Sequence, residues 1–183
     1  MIYVSISTIP QRIKNLNESV KSLLNQTRKP DKIFINIPFK YRRFSETIEN
    51  KQIPKFDNNF VEITRCEDSG PGTKLLGSLN KLEKNSLVIL ADDDHTYEDY
   101  MIEKFFYFYS KSPNNAYSFY VHPLGNFGIG QGADGFAINT NHLKGIQNFY
   151  DKVVKDYKEL FLYDDLWISF FLYFFKKNKI LSL

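Results

Sequence analysis

Residues 87–94 read Leu-Val-Ile-Leu-Ala-Asp-Asp-Asp, an apolar run that ends on three consecutive carboxylates. A strand with no polar alternation is buried on both faces, the pattern of a central strand in a parallel sheet. Adjacent carboxylates raise one another's pKa and destabilise the site unless cations or donors neutralise them. In open parallel sheets ligands bind beyond the carboxyl ends of the strands, where this triplet falls. The segment therefore demands a covered sheet and something positive at its edge.

The rest of the chain supplies such a sheet. Ile2 to Ile6 is a β-branched run that predicts a first strand. Pro10 suits the first turn of a helix, and Ile13, Leu16, Val20, Leu23 and Leu24 recur at helical spacing, predicting a helix over 11–25. Strands are predicted at Lys32 to Ile37, Phe60 to Thr64 and Leu87 to Ala91, with a short helix from Lys74 to Leu82 after the Gly70-Pro71-Gly72 break. Residues 116–143 hold two short strand-like runs separated by glycines. A helix over 144–160 follows, then a final one in 162–175. Alternation of this kind predicts βαβ units, an α/β fold with a mostly parallel central sheet flanked by helices. Without a linker, a repeat or a low-complexity tail, residues 1–183 are expected to form one domain.

Composition narrows the function. Lys plus Arg number 24 against 21 Asp plus Glu, so there is no basic field of the kind nucleic-acid binding needs. Cys66 is the only cysteine, which removes intramolecular disulfides and cysteine-rich zinc sites and suits a reducing, cytoplasmic compartment. The N-terminal residues lack a signal-type leader, and the longest apolar run, Leu166 to Phe175, is too short to span a bilayer. A soluble chain is expected, and at this length it can be one module of a larger protein.

On a continuing strand, Asp92 and Asp94 share one face and Asp93 takes the other. Two carboxylates on one face suit Mg²⁺ or Mn²⁺, hard cations that keep positions for phosphate oxygens and water. Thr8 and Arg12, in the connection after the first strand, are candidates for nucleotide contact, set against a helix cap for Thr8 and a solvated charge for Arg12. Lys74 stands in a glycine-rich bend whose backbone N–H groups and ammonium suit a phosphate, set against an ordinary surface lysine. Asp164 and Asp165 open the final helix, where aspartate is a favoured N-cap.

The stretches "SISTIPQR", "EDSGPGTKLLGSL", "ILADDDHTY" and "YDDLWISFFL", in this order, resemble those of GT-A-type glycosyltransferases, including small viral and bacterial ones that decorate glycans. The resemblance spans nearly the whole chain. It implies a Rossmann-like nucleotide-binding half, residues 1–95, and an acceptor half, 96–183. It further implies a UDP-sugar donor and a Mn²⁺ or Mg²⁺ ion held by the Asp-x-Asp motif, with a glycan, lipid or protein hydroxyl as acceptor. Asp94 and Asp92 would bind the metal, and Thr8, Arg12, Lys74, Asp92 and Asp93 the nucleotide-sugar. Asp165 would be the general base of an inverting reaction, with Asp164 as cap or partner. Asp134 is a candidate sugar contact, set against a surface turn.

Two other readings compete. Asp92-x-Asp94-x-Thr96 also fits haloacid-dehalogenase-type phosphatases, with Asp92 as nucleophile, although that motif follows the first strand of its fold and three strands precede it here. A non-catalytic nucleotide- or glycan-binding domain is the other. "GQGADG" at 130–135 matches a dinucleotide fingerprint in letters only, because a strand rather than a helix follows it. The histidines, His95, His122 and His142, lack metal-ligand spacing, and Trp167 reads as core.

Overall fold

A computed structural model describes residues 1–56 and 58–183. In chain order the strands are β1 (Ile2–Ser7), β2 (Lys32–Pro38), β3 (Val61–Cys66), β4 (Leu87–Leu90), β5 (Ala116–Ser118), β6 (Val121–Leu124), β7 (Phe127–Gly130), β8 (Phe136–Asn139) and β9 (Ile180–Ser182). All but β6 and β7 join one seven-stranded sheet of order β3-β2-β1-β4-β8-β5-β9. The first four strands run parallel, β8 is antiparallel to both β4 and β5, and β9 is parallel to β5. The predicted mixed α/β fold with a mostly parallel sheet is what the chain adopts.

Alternation along the strands sorts the core into two layers. Val4, Ile6, Ile33, Ile35 and Ile89 face Leu16, Val20 and Leu23 of α1 (Leu16–Leu24) and Ile102 and Phe105 of α3 (Met101–Lys111). Tyr3, Phe34, Val88 and Leu90 face Leu75 of α2 (Thr73–Leu76) and Ile146, Trp167 and Ile168 of the C-terminal helices. β4 is buried on both sides, as its apolar run predicts. Each such aliphatic side chain contributes about 1.5–3 kcal/mol by leaving water.

Several predicted elements differ. The helix expected over 11–25 starts at Leu16, because residues 10–15 form a succession of turns. The run 74–82 splits into α2 and a 3₁₀ turn, Leu79–Lys81. Residues 116–143 hold four short strands instead of two, and β9 was not foreseen. The helix expected over 144–160 is broken: α4 (Ile146–Phe149) widens into a π-helical turn, Tyr150–Val154, and a separate α5 (Lys158–Phe161) follows. β-branched Val153 and Val154, then Asp156, are poor helix formers at that point. The last helix, α6 (Asp164–Phe170), continues as a π-helical turn, Phe171–Phe175.

Register sets the site. Ser5 of β1 lies opposite Leu90 of β4, so the connections after both strands emerge side by side. Ser5 and Asn36 point to the α2 face, where the Ser5 hydroxyl and the Asn36 amide donate to the Lys74 carbonyl. Gly77 allows this close approach, since a Cβ there would lie 2.8 Å from the Asn36 side chain.

Candidate functional site

The triplet does not continue the strand. β4 ends at Leu90 and residues 92–94 enter a turn, so the expected alternation of faces does not hold. Asp93 and Asp94 instead share one cation: Arg12 lies 3.1 Å from Asp93 and 2.9 Å from Asp94. Asp92 pairs with the ammonium of Lys74. The turn is held from below by the Ser19 hydroxyl, which donates to the Asp93 carbonyl at 2.7 Å. The Asp92 N–H donates to the Tyr97 hydroxyl at 2.6 Å, and that hydroxyl donates to the Ala133 carbonyl at 3.0 Å.

Lys74 is not a surface lysine. It is 5% exposed, and its ammonium also lies 3.2 Å from Asp164. Burial opposes its charge, but Asp164, Asp92 and Asp165 more than offset this and raise its pKa. Asp164 and Asp165 occupy the first turn of α6 behind Tyr163, and neither caps the helix. The expectation of an aspartate N-cap is therefore corrected: Asp164 is engaged by Lys74, and Asp165 accepts the Gly132 N–H at 3.1 Å to each oxygen. Gly132 must be glycine for that approach, because a Cβ there would sit 2.9 Å from Asp165 Oδ1. Thr8 caps nothing either, since α1 begins behind Asn15; its buried Oγ1 finds no partner among the described residues.

These groups converge. A cavity of about 240 Å³ at the carboxyl edge of the sheet is lined by Thr8, Arg12, Lys74, Asp92, Asp93, Asp164 and Asp165. The predicted site residues except Asp94 and Asp134 reach it, and Asp94 stands half exposed beside it on Arg12. Tyr41, Arg43 and Asp68 complete the wall. Nothing in the local sequence marks them, since they belong to the connections after β2 and β3. Tyr97 and Gly132 were likewise missed, although the proximity of "GQGADG" to a strand was a usable signal for the second. Asp134 lies outside this cavity, 3.4 Å from His95 on a surface turn. His122 is exposed on β6, and His142 abuts the Pro113 carbonyl.

The charge balance decides what can enter. Among the described residues, the ion pairs of Asp92, Asp93, Asp94 and Asp164 are with Arg12 and Lys74, and the remaining charged residues of the wall, Arg43 and Asp68, add one charge of each sign. Burial raises the Asp93 carboxyl against the pull of Arg12. Burial first, then Asp164, pushes Asp165 up to about 7, with Lys74 and the Gly132 N–H opposing. The surplus stays negative, so a diphosphate needs an added cation to approach. No group of three or more His, Cys, Asp or Glu among the described residues makes a protein-only metal cage. Mg²⁺ and Mn²⁺ do not need one beside phosphates, because one or two carboxylates with substrate oxygens and water suffice. Asp92 borders the cavity and the half-exposed Asp94 stands beside it, paired with Lys74 and Arg12 respectively.

No protein-family model matches the chain, and no curated protein does. Solved structures match its fold. The Francisella tularensis 2-C-methyl-D-erythritol 4-phosphate cytidylyltransferase aligns with a TM-score of 0.63 at 13% identity, over 99% of this chain and 89% of that one. Staphylococcus aureus TarS 1–349 in complex with UDP aligns at 0.61 and 15% identity, over 100% of this chain and 57% of that one. Its complex with UDP-GlcNAc aligns at 0.55 and 12%, over 80% and 47%. This chain thus spans about half of the TarS 1–349 structures it matches. At such identities the likeness is one of fold, a GT-A-like α/β arrangement.

Two expected outcomes follow from the buried charges. Lys74→Met leaves Asp92 and Asp164 facing each other without their cation, a loss of about 3–5 kcal/mol. Adding Asp164→Asn should restore part of it, and denaturant unfolding of the single and double variants reads the coupling. Additive losses would show that the pair does not interact. Asp165, with its folded pKa raised from 3.8 to about 7, binds a proton in the folded chain that the unfolded chain releases. Its contribution therefore favours folding at low pH and disappears as pH rises through about 7. The melting temperature of Asp165→Asn should fall less between these limits than that of the wild type; parallel curves would refute the shift.

Proposed function

We propose that this chain is a metal-dependent glycosyltransferase that moves a sugar from a nucleotide-sugar donor, UDP-linked, to an acceptor hydroxyl. The observation that carries this reading is the convergence of Thr8, Arg12, Lys74 and both aspartate motifs on one cavity at the carboxyl edge of a GT-A-like sheet. The fold likeness to TarS, solved with UDP and with UDP-GlcNAc, supports the donor class.

In this reading residues 1–95 bind the nucleotide and 96–183 add the acceptor side. Thr8 offers its hydroxyl to the nucleotide, and Arg12 lies beside the phosphates. Asp92 and Asp94 would hold Mn²⁺ or Mg²⁺, which neutralises charge on the departing diphosphate when bound. Asp165 takes the acceptor proton. Its near-neutral pKa suits a base working at about pH 7, and Gly132 fixes its carboxylate with both oxygens engaged. Lys74 holds Asp164 and Asp92 in place, so the two motifs keep one spacing.

The likeness to the cytidylyltransferase, over 89% of that chain, favours a second reading, nucleotidyl transfer. Against it, the β1 connection "STIPQR" has no glycine, whereas nucleotidyl transfer needs a glycine-rich, arginine-bearing loop there. Release of UDP from a UDP-sugar panel, beside release of pyrophosphate from nucleoside triphosphate and a sugar phosphate, separates the two. A non-catalytic binding domain gives neither product.

UDP should bind at least about tenfold more tightly with Mn²⁺ than with EDTA, read by calorimetry, because the surplus carboxylates otherwise repel the diphosphate. Asp94→Asn should remove that metal dependence with little change in melting temperature, its side chain being half exposed. Equal UDP binding with and without metal sinks the metal assignment. Asp165→Asn can still accept the Gly132 N–H, so donor affinity should hold while UDP release with acceptor falls roughly 10²- to 10⁴-fold. Undiminished turnover would remove Asp165 from the base role.

A further inference from the structure

Away from the cavity, α6 and its π-helical continuation carry an aromatic surface that the fold does not cover. Phe170, Phe174 and Phe175 are 37%, 43% and 59% exposed. They are not scattered. The Phe127 ring lies 6.3, 5.6 and 5.5 Å from those of Phe170, Tyr173 and Phe174, and Phe149 packs on Phe170 and Phe175. Beside them opens a cavity of about 300 Å³ walled only by apolar side chains, among them Leu124, Val153, Leu166, Trp167 and Phe170. Leu124 and Val153 at its rim are themselves exposed. Contiguous exposed apolar surface of this kind marks an interaction site rather than chance.

The charges beside it identify the partner. Lys176, Lys177 and Lys179 follow directly, and residues 166–183 contain no Asp or Glu. Of the acids in the neighbouring segment, Asp151 and Asp156 line a different cavity with Arg42 and Lys155, which leaves Glu159 of α5 against the three lysines. Aromatic side chains with a lysine flank are the composition that lies in the headgroup region of an anionic bilayer. A second copy fits less well, since two-fold pairing of this face brings its lysines together. No helix among the described residues is long and apolar enough to cross a membrane, so such contact would be peripheral.

We propose that the aromatic face of α6 and its continuation, with Lys176, Lys177 and Lys179, docks on the surface of an anionic lipid bilayer. Docking inserts Phe174 and Phe175 while the lysines meet lipid headgroups. The same helix begins with Asp164 and Asp165, so the candidate site is held near the bilayer surface, where a lipid-borne hydroxyl would be presented. That last consequence rests on the transferase reading; the docking does not.

Flotation of the full chain with vesicles of phosphatidylcholine alone, or mixed with phosphatidylglycerol, tests it. The protein should float with the anionic vesicles at least about tenfold more than with the neutral ones, and the difference should shrink in about 0.5 M salt. Phe174→Ser/Phe175→Ser and Lys176→Glu/Lys177→Glu should each lose about tenfold in bound fraction, with a cooperative melt retained and UDP affinity unchanged. No flotation of the wild type overturns the proposal, as does flotation that neither variant weakens. A wild-type dimer by light scattering that the phenylalanine variant dissociates assigns the face to a second copy instead. UDP calorimetry on the same samples reports separately on the transferase reading.

Discussion

A buried ammonium cannot stay charged without carboxylates, and the desolvation of Lys74 costs several kcal/mol before any partner is counted. Asp92 and Asp164 meet it from segments that are 72 residues apart, counted from their numbers. Its own backbone is fixed from beneath, where Ser5 of β1 and Asn36 of β2 both donate to the Lys74 carbonyl. The end of β4, the start of α6 and the turn into α2 thus have one arrangement in which all three charges are satisfied. The sheet places these segments together, and the ion pairs set their spacing.

The arrangement also explains why the two acidic motifs differ in chemistry. At the triplet, Arg12 spans Asp93 and Asp94 and keeps two adjacent carboxylates compatible. At α6 one lysine serves both Asp92 and Asp164, leaving Asp165 with a backbone N–H as its closest donor. Burial and the Asp164 charge then raise Asp165 above the ordinary carboxylate range. Adjacent carboxylates thus differ through their partners: Asp164 lies against the Lys74 ammonium, and Asp165 has only a backbone N–H beside it.

How much of this was legible follows from which signals are local. The β1, β2, β3 and β4 runs stand out because β-branched apolar segments need no partner to be recognised, and α1 shows the helical period of Leu16, Val20 and Leu23. That Thr8, Arg12, Lys74, Asp92 and Asp93 reach one cavity also follows from their places in the connections after β1, β3 and β4, whereas the aspartate pair arrives from the start of α6. What the sequence hides is tertiary. β9 is three residues that are a strand only because β5 lies beside them. Asp164 looks like a cap until a lysine from residue 74 comes within reach. Asn36 in a central strand and Gly132 in a turn look unremarkable until the Lys74 carbonyl and the Asp165 carboxylate are set against them.

The final helix joins the two surfaces. Its first turn gives Asp164 and Asp165 to the cavity, and Trp167, one position after Leu166, packs so closely on the α2 bend that a Cβ on Gly72 would lie 2.5 Å from its ring. Ser169 accepts the Gly130 N–H, tying the helix to β7. Ile168, Phe171 and Leu172 lock the inner face into the core, whereas Phe170, Phe174 and Phe175 stay outside it. Helical period alone would bury one stripe and leave the other polar. Here the outer stripe is aromatic as well: Phe170 and Phe175 rest one side on buried Phe149 and Phe171 and leave the rest of their rings in water. Such a surface persists where something other than water covers it, and its rigid connection to the two aspartates means that whatever covers it also sets where the candidate site faces.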